Sequence, residues 1–83
     1  MKIFKLSKEY LVVCDSISKR SGFNHTAILF KNNYEIQEDK ACYVNRTWES
    51  YQYQSVLSSL ISKAGLKEKT KKRFLKKIEE EDF

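Results

Sequence analysis

The spacing of hydrophobic and polar positions changes once along the chain, near residue 48. From Trp48 to Ala64 the apolar residues recur at steps of three and four, which is the spacing of one helix face. They are Tyr53, Val56, Leu57, Leu60, Ile61 and Ala64. Gly65 follows the last of them, where helices commonly end with a residue of positive φ. The pattern predicts an amphipathic helix whose N-cap is Asn45 or Thr47, since either side-chain oxygen can accept a free backbone N–H.

The residues before this helix are rich in β-forming types and predict a three-stranded antiparallel meander. The three runs are residues 10–18, 23–31 and 34–44. Gly22 and the pair Asn32-Asn33 lie between the runs and suit tight hairpin turns, because both residue types tolerate positive φ. The polar segment 37–40 predicts a bulge in the third strand. A short edge strand is also expected within residues 1–8.

The segment after Gly65 predicts a second, highly charged helix with a thin apolar stripe. The stripe consists of Leu66, Phe74, Leu75 and Ile78. Bases fill the first half and acids fill residues 79–82, so both groups oppose the helix dipole. We therefore expect this helix to pack loosely or to project, and to fray after Ile78.

These elements together predict an α+β fold. It would be a three- or four-stranded antiparallel meander covered by one amphipathic helix, with a basic C-terminal helix. Residues 1–65 would form the single domain, and residues 66–83 would be an appendage ending in an acidic tail. A chain of 83 residues has room for one modest core, and a homodimer is compatible with that small size.

The composition excludes several classes of protein. No apolar run approaches the roughly 20 residues of a membrane span, and the first residues lack the apolar stretch of a signal peptide. We therefore expect a cytoplasmic protein that binds no membrane. Cys14 and Cys42 have no metal-ligand spacing and only one histidine to share, so we expect two buried thiols and neither a metal nor another cofactor.

The formal net charge of +5 is concentrated in one segment. Residues 63–77 contain eight bases against a single acid, Glu68, while the rest of the chain is nearly neutral. The predicted binding residues are Lys67, Lys69, Lys71, Lys72, Arg73, Lys76 and Lys77, with Lys19 and Arg20 of the hairpin loop as a second contact. Such a segment suits salt-sensitive binding to nucleic-acid phosphates. The alternative is a solvated helix whose charges repel one another.

An aromatic group near the start of the first helix is a second candidate surface. Arg46, Trp48, Tyr51 and Tyr53 are residue types that dominate protein interfaces, although they also commonly form the rim of a core. Tyr51 and Tyr53 are two residues apart and cannot share a helix face, so one of them should be exposed.

The sequence offers little support for catalysis. Hairpin pairing would place Ser16 opposite His25, with Cys14 and Asp15 nearby, but no second acid or oxyanion donor is indicated. Only two glycines are present, so there is no glycine-rich phosphate loop. We expect His25 to be a surface or hydrogen-bonded residue, and the protein to be no enzyme.

Two segments of the chain carry a family resemblance. Arg20–Ala27 contains Arg-x-Gly-Phe-x-His, and Lys40–Leu57 contains Asn-Arg-Thr-Trp-Glu-x-Tyr-x-Tyr-x-Ser-Val. Both resemble small accessory proteins encoded by phages, prophages and plasmids of Gram-positive bacteria, a family without an assigned reaction. The resemblance covers about half the chain and excludes Lys67–Phe83. It implies a mobile-element protein in a bacterial host cell.

Small phage proteins of this kind often bind host machinery, so we expect a protein that binds and inhibits a host nucleic-acid-handling complex. An inhibitor of a CRISPR effector, which is a ribonucleoprotein, is the specific hypothesis. A largely sequence-independent DNA- or RNA-binding module is the alternative. A third is an assembly protein that dimerises through its sheet edge.

Overall fold

The structure, a computed structural model, describes residues 1–43 and 47–83, in which four strands are followed by two helices. The elements are β1 (Lys2–Lys5), β2 (Tyr10–Lys19), β3 (Gly22–Lys31), β4 (Tyr34–Tyr43), α1 (Ser50–Lys63) and α2 (Glu68–Glu80). The strands form one antiparallel sheet in the order β1-β2-β3-β4. The predicted α+β fold is confirmed, and the expected edge strand is β1.

The turns between the long strands follow from residues that accept positive φ. Asn32 and Asn33 have φ of 50° and 69°, as the turn between β3 and β4 requires, and Gly22 has φ of 148° at the start of β3. The bulge in β4 lies slightly earlier than predicted. The register changes between Leu29 and Phe30, which leaves Ile36 as the extra residue just before segment 37–40.

The core lies between one face of the sheet and both helices. Alternate strand residues point to this face, as the period of two requires. The buried apolar residues of the strands are Phe4, Val12, Cys14, Ala27 and Leu29. Those of the helices are Val56, Leu57, Leu60, Ile61, Phe74 and Ile78. The predicted stripe of α1 is thus buried at its centre, while Tyr53 and Ala64 lie half-buried at its margin.

The start of α1 differs from the prediction. Its N-cap is Glu49, so the proposal of Thr47 is wrong, and Asn45 lies outside the described residues. The backbone N–H of Glu49 donates to Oε1 of Gln52 at 2.7 Å, so the buried Gln52 side chain satisfies a backbone donor at the helix start. At the other end Gly65 has φ of 70°, as predicted.

The expectation that α2 packs loosely is also wrong. Phe74 and Ile78 are fully buried, and the helix continues past Ile78 to Glu80. The carbonyl oxygen of Ile78 accepts a hydrogen bond of 2.8 Å from Nε2 of Gln54 on α1. The thin stripe suffices because Phe74 and Ile78 are large and completely enclosed, while Leu66 and Leu75 are half-buried beside them. Residues 66–83 therefore share the core of residues 1–65.

Asp39 connects β4 to the end of α1. Its Oδ1 lies 3.3 Å from Nζ of Lys63 and accepts the backbone N–H of Lys40 at 3.0 Å. Partial burial raises the pKa of Asp39, but hydrogen bonds from Ser59, Lys63 and Lys40, with the charge of Lys63, outweigh it. The pKa of this carboxyl is consequently held below its ordinary value.

The two cysteines have different environments. Cys14 is buried, as predicted, and this burial raises the pKa of its thiol to about 11. Cys42 is exposed, so the prediction that both thiols are buried is wrong for Cys42. Its Sγ lies 2.8 Å from Oδ1 of Asn24 on the adjacent strand, at the face of the sheet opposite the helices.

Candidate functional site

The basic helix α2 is held in a fixed orientation by its apolar side. The ring of Phe74 meets the ring of Tyr10 on β2 in an edge-to-face contact, with 5.1 Å between centroids. Nζ of Lys77 donates to the carbonyl oxygen of Leu6 at 3.1 Å, which attaches the helix to the connection between β1 and β2. Because these contacts fix one side of the helix, the opposite side has a defined direction toward solvent.

Four exposed bases occupy that outer side. Lys69, Lys72 and Lys76 follow the spacing of one helix face, and Arg73 lies beside them. We call these four residues the basic face. Within the described residues no carboxylate forms an ion pair with Lys69, Lys72 or Arg73, and Lys76 meets Glu80 only at 4.0 Å. An exposed pair of that length contributes little, so the basic face keeps most of its charge.

The other predicted bases of this segment have different positions. Lys67 is the N-cap of α2, and Lys71 is half-buried with its Nζ 3.9 Å from Glu68. Lys77 is engaged with the Leu6 carbonyl described above. These three lysines add positive charge near the basic face, but two of them already have a partner in the fold.

A cleft of about 650 Å³ extends the positive surface beyond the helix. Lys67 and Arg73 line one wall, and Lys8 and Lys31 line the other together with one acid, Glu9. Lys31 also lies over the ring of Tyr10, with 5.5 Å from Nζ to the centroid. Sequence reasoning missed Lys8 and Lys31, because each is an isolated base far along the chain from α2. Strand pairing of Tyr10 with Lys31 brings them here.

The hairpin bases are not part of this surface. Lys19 pairs with Gly22 at one end of the β2–β3 ladder, whereas Tyr10 pairs with Lys31 at the end next to α2. A strand of ten residues spans about 30 Å. The structure therefore does not bring Lys19 and Arg20 together with the bases that line the cleft.

The aromatic candidates lie mostly within the fold. Tyr53 is stacked between Trp48 and Phe83, with centroid distances of 4.8 and 4.7 Å. Burial raises the pKa of the Tyr53 hydroxyl. Tyr51 is 61% exposed, so it is the member of the tyrosine pair that faces solvent. Arg46 lies outside the described residues.

His25 is a buried side chain of the covered sheet face. Its Nδ1 lies 2.6 Å from Oγ of Ser16, the residue directly opposite on β2, and its ring packs against Trp48 and Tyr43. Since the imidazole is fully buried, it is a hydrogen-bonding core residue in this conformation. Among residues 1–43 and 47–83, no cluster of three potential metal ligands occurs.

Comparisons with known proteins give no relative. No protein-family model, no curated protein and no solved structure matches the chain.

In the part of the chain that the structure describes, neither helix is long and apolar enough to cross a membrane. The basic face and the adjacent cleft are therefore the candidate site, on the strength of their geometry and charge.

Proposed function

We propose that the protein is a non-enzymatic binding protein whose basic face contacts the phosphate backbone of nucleic acid. The observation that carries the proposal is a set of four adjacent bases on the outer side of a helix fixed in the core. Three of them have no carboxylate partner among the described residues, and Lys76 has only the long pair with Glu80. Their mutual repulsion is unfavourable in the free protein. Phosphates would relieve it and would release condensed counterions on binding.

The dimensions of the basic face suit a short stretch of backbone. Lys69 and Lys76 are seven residues apart, which is about 10 Å along a helix. Phosphates of one duplex strand recur about every 3.4 Å along the axis, so about four of them fall within this length. Lys8 and Lys31 would extend the contact beyond the N-terminal end of α2.

The acidic end of α2 limits the contact in the other direction. Glu79 and Glu80 are exposed in the last turn, and Glu81 and Asp82 follow. Like charge would repel a backbone that continued past Lys76. The proposed contact is therefore confined to the bases before Glu79. In a second proposal the phosphates belong to a defined ribonucleoprotein of the host, and binding inhibits it. A CRISPR effector is the specific case, and this hypothesis draws on the resemblance to phage, prophage and plasmid accessory proteins.

The direct test is binding to mixed-sequence duplex DNA and to structured RNA over a series of salt concentrations, measured by fluorescence anisotropy. Four phosphate contacts give a slope of log K against log salt of about −3.6 for a duplex. The affinity should consequently fall by about 100-fold between 50 and 200 mM salt, as this slope requires. Absence of binding at the lowest salt would refute direct nucleic-acid recognition.

The chain offers a matched pair of variants for this test. Lys72→Ala with Arg73→Ala removes one lysine and one arginine from the basic face, and Lys19→Ala with Arg20→Ala removes the same types from the distant hairpin. The first variant should reduce the slope by about 1.8, and the second should leave it unchanged. Equal effects would mean that net charge, not the basic face, determines binding.

The inhibitor proposal has a separate readout. It predicts a stoichiometric complex with a purified host effector, recovered by size-exclusion chromatography after nuclease treatment. The complex should weaken in the Lys72→Ala, Arg73→Ala variant if the phosphates of the effector's protected RNA are the contact. Loss of the complex on nuclease treatment would leave direct binding as the function.

A further inference from the structure

The sheet face opposite the helices is uncovered and largely apolar at its centre. Both helices pack on the other face, and the alternate strand residues point away from them. The apolar residues of this open face, toward the end of the sheet near Asn32, are Ile3, Leu11, Val13, Ile28 and Phe30. Ile3 is 59% exposed, and the other four residues are half-buried. A contiguous exposed apolar patch of this kind commonly marks an interaction site.

Charged residues border this patch with opposite signs at its two edges. Lys5, Leu11, Phe30 and Glu35 lie side by side across the four strands. The adjacent row across the four strands consists of Ile3, Val13, Ile28 and Glu38. In these two rows the open face carries one base, Lys5, at the β1 edge and is apolar in the middle. It carries Glu35 and Glu38 at the β4 edge, where Glu38 is already paired with Lys40 at 3.2 Å.

We propose that this face binds a second copy of the chain, so that two sheets stack with β1 of each copy over β4 of the other. A two-fold axis parallel to the strands produces this arrangement. It places Lys5 of one copy opposite Glu35 of the second, and Leu11 opposite Phe30. An axis perpendicular to the strands would instead place β1 over β1 and lose the charge pairing, so the charges select the first arrangement.

The area of the face agrees with a weak, reversible homodimer. Three strands of ten residues, each about 30 Å long, and the four-residue β1, about 13 Å long, lie about 4.8 Å apart and present a flat area on the order of 500 Å². Stable interfaces bury about 800 Å² on each partner, which is more than this whole flat face, so the dimer belongs to the small, weak class of interfaces. We infer a reversible dimer whose two basic faces lie on its outer sides, so this proposal does not depend on nucleic-acid binding.

The test is the molar mass in solution from about 1 µM to about 1 mM protein, measured by analytical ultracentrifugation of the full chain. The expected result is a monomer–dimer equilibrium within that range. Ile28→Lys, at the centre of the patch, should weaken the dimer by at least about 100-fold. Tyr51→Lys, at an exposed aromatic residue on α1, is the matched control and should leave the equilibrium unchanged.

Charge reversal tests the arrangement itself. Lys5→Glu and Glu35→Lys should each weaken the dimer by about 10-fold or more, because each places like charges opposite one another twice per dimer. The double variant should return the dissociation constant to within about threefold of the original. A monomer at every concentration, a dimer insensitive to Ile28→Lys, or a double variant weaker than either single variant would overturn the proposal. Circular dichroism of each variant confirms that it is folded.

Discussion

Replacing Phe74 by alanine tests whether α2 belongs to the core. Phe74 is fully buried and meets Tyr10 edge to face. Loss of a buried phenylalanine, including the cavity and the aromatic contact, costs about 3–5 kcal/mol. The free energy of unfolding for a chain of 83 residues is about 4–12 kcal/mol. The substitution should therefore remove at least a quarter of the stability of the whole fold, and in the less stable case most of it.

Urea unfolding, followed by circular dichroism and by the fluorescence of Trp48, measures this loss. With an m-value of about 1.5 kcal/mol/M, the midpoint should fall by about 2–3 M. Alanine is the best helix former, so the change does not weaken α2 through its own propensity. Leu75→Ala on the same helix is the control, and because Leu75 is only half-buried it should cost about 1 kcal/mol. If Phe74→Ala lowers the free energy of unfolding by no more than Leu75→Ala does, α2 is not part of the core.

Two further predictions concern titratable groups. Because the pKa of Asp39 is lowered in the folded state, its charge contributes stability that is present at neutral pH and is lost as pH falls through the folded pKa. The difference in unfolding free energy between the native chain and Asp39→Asn should therefore shrink below about pH 4, and a constant difference would contradict this. In iodoacetamide labelling followed by mass spectrometry, Cys42 should react in the native protein and Cys14 only in urea. Equal native rates would show that the Cys14 region opens.

The sequence predicts the elements of this fold better than their packing. The period of α1, the Asn32-Asn33 turn and Gly65 are local signals, and the structure follows them. Burial of Phe74 depends on Tyr10, which lies 64 residues earlier in the chain, so no local pattern could show it. Cys42 is exposed because its side chain lies on the sheet face opposite the helices. That face can be assigned only when the pairing of β3 with β4 is known.

Only part of the candidate site could be predicted from the sequence, because the rest depends on contacts between residues that are distant along the chain. The bases of α2 are contiguous in sequence, so charge counting finds them. Lys8 and Lys31 join them through strand pairing and helix docking, which are non-local. Lys19 and Arg20 are far from α2 because they lie at one end of the long β2–β3 hairpin and α2 packs near Tyr10 at the other end. The position of α2 cannot be read from the sequence.

The attachment of α2 to the first strands has a consequence for the order of folding. The three hairpins of the meander join strands that are neighbours in sequence and can form early, because little loop-closure entropy is lost. The hydrogen bond from Lys77 to Leu6 instead joins residues 71 positions apart. We expect α2 to dock last and to be released first when the native state opens. The cleft between α2 and the strands, with the positive charges on both of its walls, would then exist only in the completed fold.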